Sequence, residues 1–157
     1  MDQELHWYAL KVFWNRVQYL RELLGPKGIE LYTQKIVPTL VFVHCTGSFI
    51  LELRQQQYQN LFVYSDPKSR VPYIIPDKEM AVFRLVTSLD DSGLEFLGDD
   101  LPKYHEGDRV RVKEGPLKGA EGHIRRIRKD RRLVVTVSGV AAVATSFIHP
   151  SLLEKVD

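Results

Sequence analysis

The sequence predicts an α+β chain in two parts. The first is an N-terminal split βαβ domain with an antiparallel sheet, ferredoxin-like in arrangement, and the second is a small C-terminal β-barrel of SH3-like type. Three observations predict this. Over residues 1–89 the segments run β-α-β-β-α-β-α, the order of a split βαβ unit with one added helix. Residues 105–157 hold about five short β-prone runs separated by turn residues, as in small barrels. Between them lies the stretch DDSGLEFLGDDLPKY, acidic and punctuated by Gly and Pro, which reads as a linker over 90–104. Leu94, Phe96 and Leu97 give that linker apolar groups able to dock on either part.

The N-terminal elements follow from local chemistry. His6 to Phe13, HWYALKVF, is rich in aromatic and aliphatic residues and reads as a strand. Asn15 is the expected N-cap of a helix over Arg16–Leu24, whose Val17, Leu20, Leu23 and Leu24 form one apolar stripe. Gly25-Pro26 ends it. Strands over Ile29–Gln34 and Leu40–Cys45 come next. Leu40, Val41, Phe42 and Val43 are all apolar, so both faces of this strand need cover, whereas a sheet with helices on one side usually alternates. Gly47-Ser48 opens a helix over Phe49–Tyr58, with Ile50, Leu51, Leu53 and Tyr58 inward. Leu61–Tyr64 is a strand, Asp66–Ser69 a turn and Tyr73–Ile75 an extended piece. Pro76, Asp77 and Glu79 start a third helix, because Pro suits a first turn and acids suit the positive end of the helix dipole. Met80, Phe83 and Val86 or Thr87 are its inward stripe.

The C-terminal part opens with an alternating strand, Asp108–Val112, with Val110 and Val112 on one face and Arg109 and Arg111 on the other. A loop with Gly115-Pro116, Gly119 and Gly122 follows; glycines so closely spaced imply positive φ or close backbone approach. A basic strand leaves through His123 and Ile124, a turn falls at Lys129-Asp130, and Arg131–Ser138 returns. Ala142–Phe147 and Leu152–Val156 complete the set.

Composition narrows the function. The single cysteine, Cys45, allows no internal disulfide, and it and the five scattered histidines lack metal-ligand spacing, so neither a metal nor a cofactor is expected. No apolar run reaches the ~20 residues of a membrane helix. The acidic start does not resemble a signal peptide, and a cytoplasmic setting without membrane contact is expected. Residues 1–102 hold 10 basic and 13 acidic side chains, residues 103–157 hold 12 and 7, so the two parts suit different partners. Catalysis finds no constellation. Cys45 has only His44 beside it, on the opposite face of a strand, and GPLKGAEG lacks the Gly-Lys-Ser/Thr ending of a phosphate loop. An enzyme is not expected.

Two candidate sites remain. If Val41 and Val43 face the helices, Leu40 and Phe42 lie on the other face near Trp7 and Phe13, an apolar patch of the kind that marks a protein interface; cover by the linker or the second module is the alternative. The run Arg125-Arg126-Ile127-Arg128-Lys129-Asp130-Arg131-Arg132 can meet phosphates or be a solvated hairpin. No aromatic interleaves it to stack bases.

Val110, Val112, Gly115-Pro116, Gly119, Gly122 and Ile124 resemble the KOW motif of ribosomal proteins and of NusG-family transcription elongation factors. Trp7-Tyr8, the strand Pro38–Val43 and Ile75–Glu79 are similar to the NusG N-terminal (NGN) domain, and the likeness spans nearly the whole chain. The wording from Ala141 to Pro150 is similar to specialised paralogues of the UpxY type, operon-specific antiterminators for capsular polysaccharide genes. The resemblance implies a non-enzymatic elongation and antitermination factor. Its N-terminal domain would bind the clamp of the largest-subunit homologue of RNA polymerase through Leu40 and Phe42, with Trp7, Val37 and Tyr64. Its KOW domain would recruit a ribosomal protein, Rho or nascent RNA, with Arg109, Arg111, Lys118, Arg125, Arg126, Arg128 and Arg131 as the contacts to that partner or to nucleic acid. Gly115, Gly119 and Gly122 would shape the motif's turn. Aspartate at Leu40 and Phe42 is expected to break polymerase binding and spare the fold. The alternatives are a ribosome-associated RNA-binding KOW protein and a housekeeping NusG. The connection from Ile29 to Pro38 is shorter than is usual in the family, and Thr39 and Leu40 stand where Gly or Asn and an aromatic are typical. The β-prone run Leu133–Val137 implies a barrel rather than the helical hairpin that some paralogues form.

Overall fold

A computed structural model describes residues 3–13, 16–55, 61–89 and 93–156. The chain divides into two compact units, Met1–Asp77 and Lys78–Asp157. Composition alone puts the divisions at residues 89 and 104. From Lys78 onward the residues make their contacts within the C-terminal unit.

In the N-terminal unit β1 (Leu5–Val12), α1 (Val17–Leu24), β2 (Glu30–Tyr32), β3 (Leu40–Thr46), α2 (Gly47–Gln55) and β4 (Leu61–Val63) follow one another. The strands form an antiparallel sheet in the order β2-β3-β1-β4. That is split βαβ topology, with β1 inserted between β3 and β4. Alternation decides the layers. Tyr8, Leu10 and Val12 of β1, Val41, Val43 and Cys45 of β3 and Val63 of β4 share a face, and Leu20 and Leu24 of α1 with Ile50 and Leu53 of α2 pack on it. Truncating one of these leucines to Ala should cost about 2–5 kcal/mol, transfer and cavity together. The expected N-cap Asn15, and Tyr58 as an inward residue of α2, lie outside the described residues. Past Leu24 the chain tightens into a 3-10 turn over Gly25–Lys27 and leaves it through Gly28 at φ 71°.

The second strand is shorter than the sequence predicts, because Gln34 leaves the ladder. Its buried side chain accepts from Val37 N at 2.8 Å and donates to the carbonyls of Val37 at 2.8 Å and Leu40 at 3.0 Å. One amide thus closes the short connection from β2 into β3. After β4 the chain stays on the open edge of β1. Tyr64 N donates to Ala9 O and Ile75 N to Trp7 O, with a loop between that Ser65 and Pro72 close. Asp66 organises the loop by accepting from the backbone N–H groups of Lys68 and Ser69, which hold its carboxyl below the usual carboxylate range.

The C-terminal unit takes in α3 (Asp77–Ser88) from Lys78 onward, then β5 (Glu95–Gly98), β6 (Arg109–Val112), β7 (Glu121–Ile127), β8 (Asp130–Val137), β9 (Ala141–Phe147) and β10 (Leu153–Lys155). The strands form an antiparallel sheet in the order β10-β6-β7-β8-β9-β5. Among the described residues the two antiparallel sheets and three α-helices make the α+β class expected. The acidic stretch read as a linker supplies β5, which pairs with β9, Phe96 opposite Val143. Leu97 packs against the cluster of Tyr104, Val134, Ala142 and Ala144, so apolar burial outweighs the segment's charge. The start of α3 bonds to the same unit. Glu79 accepts from Ser138 N and Oγ, each at 2.8 Å, and Lys78 Nζ meets Glu121 Oε2 at 2.9 Å. The hairpin turn sits one residue earlier than predicted. Ile127 pairs with Asp130, so the two-residue loop is Arg128-Lys129, with φ of 60° and 142°. No described helix is long and apolar enough to cross a membrane.

Candidate binding faces

The first candidate face is the side of the N-terminal sheet turned away from α1 and α2. Register places Ala9 opposite Phe42, Lys11 opposite Leu40 and Phe62 opposite Lys11, so these side chains share it. Trp7 stacks on His44 at 4.8 Å between centroids, and Tyr32 leans on Phe42 at 6.4 Å. Trp7, Leu40 and Phe42 share this face, with Val37 half-buried in the connection that Gln34 closes. Tyr64 follows β4 in step with Phe62, their rings edge to face at 5.4 Å.

Exposure on this face is uneven. Leu40 is 2% exposed and Phe42 fully buried, whereas Phe62 is 56% exposed. Aspartate at Leu40 or Phe42 would therefore bury a charge and threaten the fold, contrary to the sequence expectation. Phe62 is the functional candidate that sequence reading missed. Its signal was available: once Val63 is assigned to the helix side, period-two alternation turns Phe62 outward. Phe62 borders an open cleft of about 520 Å³ lined also by Arg54, Leu61, Asp66 and Arg70. Arg54 is held there by the carbonyl of Arg70 at 2.8 Å and Ser65 Oγ at 3.3 Å. The cleft suits an apolar side chain flanked by an acidic one.

Cys45 offers no nucleophile. Burial pushes its thiol up to about 12, so it is neutral at physiological pH. Among the described residues no group of three or more His, Cys, Asp or Glu is placed to hold a metal ion.

The second candidate face is basic. The seven cations predicted for it do not form one patch. Arg109 and Arg111 of β6 are drawn to Glu121, each at 3.4 Å, and Arg111 also meets Glu154 at 3.2 Å. Lys78 with its hydrogen bond, then Arg111, holds the Glu121 carboxyl below the usual range against the opposing effect of its burial. The same Glu121 and Glu154 bonds push the Arg111 guanidinium up. Arg125 bonds the carbonyl of Lys103 and meets Glu106 at 3.6 Å. Arg128 meets Glu95 at 3.3 Å. Lys118 lies in the loop before β7, at the opposite end of that strand from the hairpin turn. Arg126 and Arg131 face each other across the hairpin, both exposed.

The loop glycines act in two ways. Gly115 and Gly119 adopt φ near +93° and +94°. Gly122 has no such angle, but a Cβ there would lie 2.2 Å from Val134 O. Close approach of β8 to β7 is what excludes a side chain.

No family model matches the chain, and no curated protein matches it. Among solved structures it is similar to Thermotoga maritima NusG, in a structure described as showing domain interaction, at 18% identity over 98% of each chain with a TM-score of 0.49. At that identity and score, the fold assignment rests on the strand orders themselves.

Proposed function

We propose that this chain is a non-enzymatic transcription elongation and antitermination factor of the NusG type. In this reading the domain of residues 1–89 binds the clamp of the largest-subunit homologue of RNA polymerase, and the KOW module of residues 105–157 recruits a second partner in the cytoplasm. The observation that supports it best is the conjunction of two architectures in order. A split βαβ sheet with aromatics on the face away from α1 and α2 precedes a Gly-punctuated strand–loop–strand module. The implied contact positions Trp7, Leu40 and Phe42 share that face, Val37 lies beside it, and Tyr64 extends it. Phe62 is added as the large apolar group open to a partner. Engaging Leu40 and Phe42 themselves requires them to be uncovered.

The mechanism needs no bond chemistry. A protein that binds the closed clamp more tightly than the open one shifts the population toward closure and disfavours pausing. Each tenfold preference is about 1.4 kcal/mol of that shift. The finer reading is an operon-specific factor for capsular polysaccharide genes. Location of its gene at the head of such an operon would support it, and a housekeeping locus would favour the general factor. The binding test uses purified core polymerase and the Phe62→Asp variant, with nuclease added. Retained wild-type binding and lost variant binding support the reading; binding that disappears with nuclease favours the ribosome- or RNA-associated alternative.

A further inference from the structure

The β7–β8 hairpin carries two pairs of arginines directly across from each other, and the two are neutralised differently. Arg125 lies opposite Arg132. Each has a carboxylate: Glu106 at 3.6 Å for Arg125, and Glu95 at 3.2 Å with Asp130 at 3.8 Å for Arg132. Arg126 lies opposite Arg131 on the other face of the hairpin. Both are exposed, and among the described residues neither guanidinium has a carboxylate or a side-chain hydrogen-bond partner. Like charges directly opposite destabilise a strand pair.

The turn adds to this. Arg128 and Lys129 hold positive φ in a two-residue hairpin loop, a position that Asn-Gly fills with less strain. Lys129 is exposed and likewise without a carboxylate among the described residues. The chain keeps bare cations where other residues would hold the hairpin more stably.

We propose that Arg126, Lys129 and Arg131 form an edge that docks the phosphate backbone of a nucleic-acid strand. A guanidinium presents a planar fork of donors that matches phosphate oxygens, and two such forks stand side by side. No Phe, Tyr or Trp lies in β7, the turn or β8, and the His123 ring of β7 falls on the face of Arg125, not on that of Arg126. Exposed Phe147 pairs with Arg132 and so sits on the other face. With no stacking platform the contact is to phosphates, indifferent to sequence and sensitive to salt. This deepens the recruiting role proposed for the KOW module and rests on it, but its test needs no polymerase.

Anisotropy of the full chain with labelled oligouridylate and oligodeoxythymidylate provides that test. Three phosphate contacts predict that log K falls with log salt at a slope of about −2 on a single strand. Arg126→Gln should reduce that slope by about 0.7. Arg126→Glu should abolish binding at low salt and leave the urea midpoint unchanged or raised, since it turns a repulsive cross-strand pair into an attractive one. Tighter binding of RNA supports the proposal with a transcript as source; tighter binding of DNA supports it with a DNA strand. No binding at low salt, or binding that Arg126→Glu leaves intact, overturns it. A lowered midpoint with unchanged binding would make Arg126 merely structural. Polymerase binding can fail without moving any of these results, so the two readings fail separately.

Discussion

Replacing Gly122 with alanine puts the packing of the C-terminal unit to a direct trial. The new Cβ would sit 2.2 Å from Val134 O and 3.1 Å from Leu133 Cδ1. A tolerated carbon–oxygen contact is ~3.3 Å, so β7 and β8 would have to part by about 1 Å locally. The obstacle is a backbone carbonyl in a ladder, and it cannot rotate away. His123 pairs with Val134 and Ile124 with Leu133 beside it, so the ladder opens at that point. Overpacking costs about 1–3 kcal/mol, and each weakened backbone hydrogen bond about 1 more. We expect about 3 kcal/mol in all. Gly119→Ala is the control. It has a φ of +94° but nothing within 4 Å of the added carbon, so only backbone strain of about 1–2 kcal/mol should appear. Urea unfolding followed by near-ultraviolet circular dichroism measures both. A Gly122→Ala loss below about 0.5 kcal/mol, or a Gly119→Ala loss larger than it, would refute the reasoning.

The other expectations concern the connection, acid and the open aromatic. Gln34→Ala should cost about 2–3 kcal/mol by the same unfolding assay, because it strips Val37 N and Leu40 O of their amide partner in a partly buried turn, while Val37 O keeps the N–H of Leu40; a loss under 1 kcal/mol would mean that water replaces the amide. Burial, then the charges of His105, Arg109 and Arg125, depress the His123 pKa, and the bond from Lys78 lowers that of Glu121. Both groups therefore stabilise fully above their ordinary values of 6.5 and 4.5, and the stabilisation is lost as pH falls through the depressed folded values. The urea midpoint should decline in two stages on acidification, and His123→Asn should remove the first while keeping the second. Phe62→Asp should leave the unfolding free energy within about 0.5 kcal/mol of wild type, since more than half of the ring is in water.

Much of the N-terminal sheet was legible because local alternation and global topology agree there. The unbroken apolar run Leu40–Val43 required two covered faces, and the structure places Val41 and Val43 on the helix side with Leu40 and Phe42 opposite. What resisted reading depends on register between distant segments. Glu121 faces Arg111 across β6 and β7, so two arginines predicted to be free for a partner are instead neutralised within the unit. β5 hides in an acidic stretch because its reward, the pairing with β9, lies some fifty residues away in sequence. The hairpin turn was misplaced by one residue because propensity favours Asp130 as a turn residue, while pairing of Ile127 with Asp130 drives Arg128 and Lys129 into the loop. The bare face of Arg126 and Arg131 follows only from which carboxylates the fold brings near.

The polymerase reading meets its most direct test in equilibrium binding of the purified chain to purified core RNA polymerase, with Phe62→Asp as the matched variant and circular dichroism confirming its fold. The account predicts wild-type binding that survives nuclease and is weakened at least tenfold by Phe62→Asp, a loss of about 1.4 kcal/mol or more. No wild-type binding would contradict the polymerase reading, and equal binding by the folded variant would contradict the assignment of that sheet face.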